Sequence, residues 1–359
     1  MRTPGLYIGS TTTYAGKNTM NIGMGLRFQK EGHNAGYMKP VGAMPIEING
    51  VQGDEDAFYV QDVLGITPAR PELVTPVMVT QDFKIRAFNG QLGGQDELLN
   101  KIESSYDELS KDRDLMLVAG SGNMFSGRYT GLDAITIVKK LGLKAVVIDR
   151  IQHEVNYDTL VTIKDHLGDL MAGVILNSVP ATFNTEVESL IRPFLERQGI
   201  RVLGVLPSDP LMSSIRTDAL AEGLGGRLVA AQRSSERMVS SFLIGTMQVE
   251  NFMTYFRKSS NAAVIVGGDR ADVQLVAIEG NCSCLILTGN LYPNDIILSR
   301  ADALNVPIIM VRDDTYSVAK KMEQMLGRHK LRDAIKIRQA SQIVSENVNF
   351  DAIKTALGI

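Results

Sequence analysis

Residues 9–20 read GSTTTYAGKNTM, and Lys17 is the residue there with the most chemistry to offer. A lysine after a glycine, where a small-residue turn enters a helix, sets an ammonium beside main-chain N–H groups. Those groups and the helix N-terminus favour anionic oxygens. The chemistry this supports is the binding of a polyphosphate. The usual spacing G-x-x-x-x-G-K-[ST] is met only in part. Gly16 and Lys17 fit, Thr11 stands where the first glycine would be, and Asn18 takes the hydroxyl position. Alone, the stretch reads more readily as an ordinary turn that holds a lysine.

Three further segments carry chemistry at strand ends. Lys39 lies in YMKPV, and a lysine ending a buried strand is costly to desolvate without an anionic partner. The alternative is a lysine that reaches to the rim. Asp54, Glu55 and Asp56 in GDEDAF offer oxygen ligands for Mg²⁺, or form a solvated acidic loop. Asn177 in VILNSVP, beside Pro207 in VLGVLPSDP, can present its amide to a purine edge or bond its own backbone in a turn. Farther on, Gly267 and Gly268 in GGDRADVQ permit close backbone approach at a strand end. Asp269 and Arg270 beside them read as a ligand contact, an ion pair or an interface.

These residues need a scaffold that delivers strand ends to one place. Short apolar runs recur at 6–9, 35–41, 115–120, 145–149, 172–179 and 201–207, with helical periodicity between most of them, as at 131–143 and 184–200. Near-continuous apolar strands alternating with helices predict an α/β fold, a doubly wound parallel sheet covered on both faces. Its ligand edge is the carboxyl end of the strands. The texture from 208 to 241 reads as a connection. A smaller α/β unit follows, with a helix at 247–258, strands at 262–268, 284–289 and 307–313, and a helix at 317–326. The expected division is 1–212, a connecting segment 213–240, and 241–359.

The chain has 359 residues and a net charge of −3, which gives no bulk attraction to nucleic acid or anionic lipid. No apolar run approaches the roughly 18 residues of a membrane helix. The N-terminus enters a strand directly, so a cytoplasmic location is expected. Cys282 and Cys284, two residues apart in a strand, are expected to share one buried face as small apolar groups. His33, His153, His166 and His329 are scattered and match no zinc spacing.

The order of these motifs, from the GK loop through YMKPV, DEDAF, LVAGSGN and VILNSVP to LGVLP, resembles the dethiobiotin synthetase family of P-loop proteins. It is closer still to the synthetase-like N-terminal domain of long phosphotransacetylases. The second unit is similar to the DRTGG domain that follows in those proteins, although Asp269–Arg270 is followed by Ala-Asp rather than Thr-Gly-Gly. With the chain ending at Ile359, their acetyltransferase domain is expected to have no counterpart. The resemblance implies ATP and Mg²⁺ as cofactors. It assigns nucleotide contacts to Thr13, Gly16, Lys17, Asn18 and Thr19, adenine reading to Asn177 with Pro207, and catalytic roles to Lys17 and Lys39. Asp56 matches a magnesium-binding aspartate, with Asn18 as the other metal ligand.

Two departures weaken the implied metal shell: Asn18 replaces a hydroxyl, and Ala119 stands where the synthetase has a glutamate. Phosphoryl transfer depends on positioning and on charge neutralised by Mg²⁺. The expectation is therefore a nucleotide-binding regulatory or sensor protein with weakened catalysis. The alternatives are an ATP-dependent synthetase acting through a phosphorylated carboxylate or carbamate, and a scaffold that binds nothing. The expected partners are a nucleotide, a small-molecule effector in the second unit and a separate transferase chain. A homodimer is implied by the resemblance.

Overall fold

The computed structural model describes residues 2–48, 50–66, 70–151, 154–327 and 333–359. His153 and His329 lie outside the described residues. The chain forms two units, Met1–Ser208 with Leu331–Ile359, and Asp209–Lys330.

In the first unit six parallel strands form one sheet. They are β1 (Gly5–Ser10), β2 (Ala35–Met38), β3 (Leu115–Ala119), β4 (Lys144–Arg150), β5 (Met171–Val179) and β6 (Val202–Pro207), in the order β6-β5-β4-β1-β3-β2. Every residue of β1 and β3 is buried, as strands covered on both faces must be. Alternation sends Tyr7, Met38, Met116, Val118 and Val147 into one core cluster. Leu6, Ile8 and Tyr37 point to the other face, over which α1 (Lys17–Lys30) lays Met20, Met24 and Phe28. Strand order reverses at β1, between β3 and β4, so the crevice at the carboxyl ends of these three strands is the switch point of the fold.

The strand expected at 35–41 stops at Met38. Pro40 has no N–H for a ladder. The Lys39 N–H donates to the Val74 carbonyl at 2.9 Å, and Val41–Gly42 pairs separately with Val77–Met78.

The expected domain division differs from the structure at two points. Residues 334–357 do not belong with the second unit. The helix Ala334–Asn347 lies on α1, so close that a Cβ at Gly23 would sit 2.7 Å from Val344. Phe350 meets Phe28 edge to face at 5.6 Å, and the Asn349 N–H donates to the Leu203 carbonyl at 2.7 Å. An amphipathic helix specifies that it must dock but not where, and sequence order suggested the wrong neighbour.

Nor is 213–240 a mere connection. It supplies the helix Thr217–Leu224 and the strand β7 (Arg227–Ala230). The Gly225–Gly226 pair that reads as a linker is a helix stop. Gly225 is left-handed at φ 64°, and a Cβ at Gly226 would lie 2.7 Å from Ile309.

The second sheet has the order β7-β11-β10-β9-β8, with β8 (Ser241–Ile244), β9 (Ala262–Gly267), β10 (Cys284–Thr288) and β11 (Ile308–Met310). All are parallel except β7, which runs antiparallel to β11. Cys282 and Cys284 are buried and free, but they do not share a face. The strand begins at Cys284, so the turn before it sends Cys282 to the opposite cluster.

Candidate functional site

The loop from Thr11 to Gly16 leaves β1 at the switch point and feeds α1. Gly16 is its hinge, with φ 104°. A side chain there would be strained, and its Cβ would come 2.5 Å from Asn177 Nδ2. No side chain caps α1, and its first turn holds no acidic residue. Its leading N–H groups thus keep their preference for an external anion. Thr13 is exposed, and Asn18 and Thr19 are half-buried in the first turn of α1.

Lys17 does not extend into solvent. Its Nζ donates to Ser10 Oγ at 2.9 Å and to the Gly122 carbonyl at 2.6 Å, bridging the ends of β1 and β3. Burial, together with the positive charge of Lys39 and despite the negative charge of Asp56, brings the Lys17 ammonium down to about 8. The loop lysine, Lys39 and Asp56 are therefore one electrostatic cluster.

Within it Lys39 is buried and paired. Its Nζ donates to Asp54 Oδ1 at 2.6 Å and to Asp56 Oδ2 at 3.3 Å. Asp54, wholly buried, also accepts from the N–H groups of Ala43, Met44, Asp56 and Ala57 at 3.0–3.1 Å. It is the N-cap of α2 (Glu55–Val63). Of the acidic run, Asp54 is thus a structural anchor and Asp56 the partly exposed carboxylate beside the ammonium groups. An Asp before EDAFYVQDV could have been read as a cap.

Sequence reasoning missed Asp149. Fully buried at the end of β4, it accepts a short hydrogen bond from Thr11 Oγ1, at the base of the loop. It also accepts from the Asn156 N–H at 3.1 Å and Asn156 Nδ2 at 2.7 Å. Asn177 braces the other end of the loop, since its Nδ2 donates to the Ala15 carbonyl at 2.8 Å. Its Oδ1 accepts from the Ser178 N–H at 2.9 Å. Pro207, on β6, lies in register with Val179, two residues beyond Asn177. Sites 16, 17, 39, 56 and 177 therefore converge on one strand edge. Ala119 ends β3 at the same edge, buried.

In the second unit Gly267 ends β9 and Gly268 follows it, and a Cβ at Gly268 would lie 2.4 Å from that of Leu291. Arg270 forms a forked pair with Asp272, at 3.0 and 2.9 Å, rather than with Asp269, and it donates to the Met247 carbonyl at 3.2 Å.

A protein-family model described as an AAA domain matches residues 4–216, more than half of the chain. The chain belongs to the AAA domain family. A second model, the DRTGG domain, matches residues 219–325. Curated relatives are of two kinds. A phosphate acetyltransferase of Synechocystis sp. is 21% identical over 98% of this chain and 51% of its own length. Another, from Pseudomonas putida, is 26% identical over 89% of this chain and 47% of its own. An ATP-dependent dethiobiotin synthetase of Methanocaldococcus jannaschii is 28% identical over 56% of this chain and 94% of its own. The chain spans about half the length of the acetyltransferases it matches.

The order of an AAA-type P-loop domain and a DRTGG domain agrees with the N-terminal part of long phosphotransacetylases. A P-loop domain of this kind implies nucleotide and Mg²⁺ binding in general. The features here that favour an anion are the uncapped α1 and the neighbouring Lys17 ammonium. The donor set for a metal is sparse. Among the described residues no group of three or more His, Cys, Asp or Glu side chains is gathered, and Asp54 is spent on backbone and lysine. Such a set would fit a magnesium ion held mainly by phosphate oxygens and water. Among the described residues no helix is long and apolar enough to cross a membrane.

Proposed function

We propose that this AAA-family chain is a regulatory or sensor protein that binds an ATP-type nucleotide at the Thr11–Thr19 loop. Thr13, Gly16, Lys17, Asn18 and Thr19 contact its phosphates, and Asn177 and Pro207 flank its base. The observation that carries this reading is the Lys17 ammonium. It is drawn in beside an uncapped helix N-terminus, next to a second lysine, with no carboxylate bonded to it among the described residues. A desolvated cation beside open N–H groups is a polyphosphate site. Mg²⁺ enters with the nucleotide and is weakly held, by Asp56 and Asn18, because Ala119 supplies no carboxylate. The second unit takes a small-molecule effector at Gly267–Arg270. The protein works in the cytoplasm as a homodimer and passes its state to a separate transferase chain.

The second reading is an ATP-dependent synthetase that activates a carboxylate or carbamate. Lys39 favours it, since its ammonium sits beside Lys17 and Asp56 where a transferred phosphoryl group would need charge. Calorimetry with ATP, ADP and GTP, with and without Mg²⁺, separates the two. Binding without turnover supports the sensor. ADP release stimulated by a carboxylate or amine supports the synthetase. Heatless titration with every nucleotide rejects both.

A further inference from the structure

Unsatisfied polar groups are rare inside proteins, and each one asks for a partner. Among the described residues, three of the five buried side-chain atoms without a hydrogen bond sit in one neighbourhood: Tyr37 Oη, Gln61 Nε2 and Thr75 Oγ1. Their residues are 2%, 6% and 7% exposed. Tyr37 is on β2, the open edge of the sheet, and Gln61 is on α2. Both line a cleft of about 350 Å³, which is in the size range of small-ligand sites. Gln61 also lines, with Asp54 and Thr75, a narrow void on its other side.

The wall and rim of the cleft are cationic. Arg113 bonds only the neutral Asn34 amide oxygen and, among the described residues, makes no ion pair. Arg70 pairs with Glu72 at 3.8 Å and reaches Glu108 at 3.9 Å, the carboxylate that Lys111 holds at 2.6 Å. Of the charged groups lining the cleft, Arg70, Lys111 and Arg113 are cations and Glu108 is the anion. The cleft opens beside the start of β3, away from the phosphate loop, which lies at the carboxyl ends of the strands.

We propose that this cleft binds a small molecule bearing an oxyanion. Its phosphate or carboxylate meets Arg113 and Arg70, and an oxygen acceptor meets Tyr37 and Gln61. The inference stands apart from nucleotide binding. It does give α2 two ends with chemistry, because the same helix carries Gln61 toward the cleft and is capped by Asp54, the partner of Lys39.

The test follows the Gln61 side-chain amide in ¹H–¹⁵N spectra of the full chain. Inorganic phosphate and malonate are titrated separately at constant ionic strength. The expected result is a saturable shift of the Gln61 signals with at least one of them, and the one that saturates names the oxyanion. Tyr37→Phe and Arg113→Met should each weaken that probe by roughly tenfold, the worth of one hydrogen bond to a charged or polar ligand group. Tyr37→Phe should not lower the melting temperature, since removing an orphaned buried hydroxyl costs nothing. In Lys17→Ala the shift should persist, whereas a response that came from phosphate in the loop would vanish. The proposal is overturned if neither anion moves the Gln61 signals beyond chloride, if both variants bind like the parent, or if Lys17→Ala abolishes the response.

Discussion

The lowered Lys17 ammonium makes a quantitative prediction about pH. Below about 8 the group is charged in the free protein, and above that value it is neutral. A bound polyphosphate favours the charged form, so nucleotide binding above this pH must take up a proton. At pH 9 roughly one molecule in ten holds the proton beforehand, and affinity should fall roughly eightfold from pH 7.5. Terminal phosphates titrate around a midpoint near pH 6 and are almost fully ionised at both pH values, so the ligand does not mask the effect. The assay is isothermal calorimetry with ATP at both pH values, in two buffers of different ionisation enthalpy. Close to one proton should be absorbed per nucleotide at pH 9, and much less than one at pH 7.5. An affinity that stays flat across this window, with no proton uptake, would refute the assignment of Lys17 as the phosphate ligand. The same shift has a consequence for stability. The unfolded chain keeps the lysine proton up to 10.5 and the folded one only to about 8, so this group makes stability rise with pH between those values.

Lys17→Ala should weaken ATP by roughly a hundredfold, the value of a charge-assisted contact, as measured by the same calorimetry. Asp149→Ala leaves the Thr11 hydroxyl and both Asn156 donors unpaired in a buried place, and urea denaturation should show a loss of about 2–3 kcal/mol. Asn18→Thr with Ala119→Glu should strengthen Mg²⁺-dependent nucleotide binding. The buried glutamate should lower the melting temperature without metal and recover it with Mg²⁺ and ATP, and no recovery would show that Asp56 is not poised at a metal. Gly23→Ala forces Val344 off α1 and should cost about 1–3 kcal/mol in the same denaturation experiment.

What could be read from the sequence was what is local. Lys17 and Lys39 stand out because a lysine that directly ends a buried strand, or follows its turn, has few places to go. The strands show as apolar runs because both faces of the sheet are covered. What could not be read was pairing at a distance. Asp149 looks like any acidic strand end until its partner Thr11, 138 residues away, is beside it. The helix Ala334–Asn347 shows an apolar face, but only the missing side chain of Gly23 reveals which surface receives it. Asp54, Glu55 and Asp56 formed one acidic group in the sequence. Burial divides them, because a carboxylate taken out of water must fill its acceptor sites, and Asp54 does so with four N–H groups and an ammonium.

That division bears on how the site meets its ligand. Asp54 satisfies Lys39, so the second lysine brings a positive charge already largely balanced. The Lys17 ammonium donates to a hydroxyl and a carbonyl, with no carboxylate bonded to it among the described residues, and the charge of Asp56 offsets it only in part. The free site thus holds one cation whose desolvation is only partly compensated, and its lowered proton affinity is the mark of that cost. An arriving polyphosphate supplies the missing counter-charge. The gain is largest for the phosphate group nearest Lys17 and does not need a metal to be realised. On the proposed reading, with Asp56 partly exposed at this edge and Ala119 in place of a carboxylate, Mg²⁺ is expected to add less than in a shell of several oxygens. Binding that survives chelation of Mg²⁺ but fails as Lys17 deprotonates is the combination this arrangement requires. The reverse combination would mean that the metal, not the ammonium, holds the phosphates.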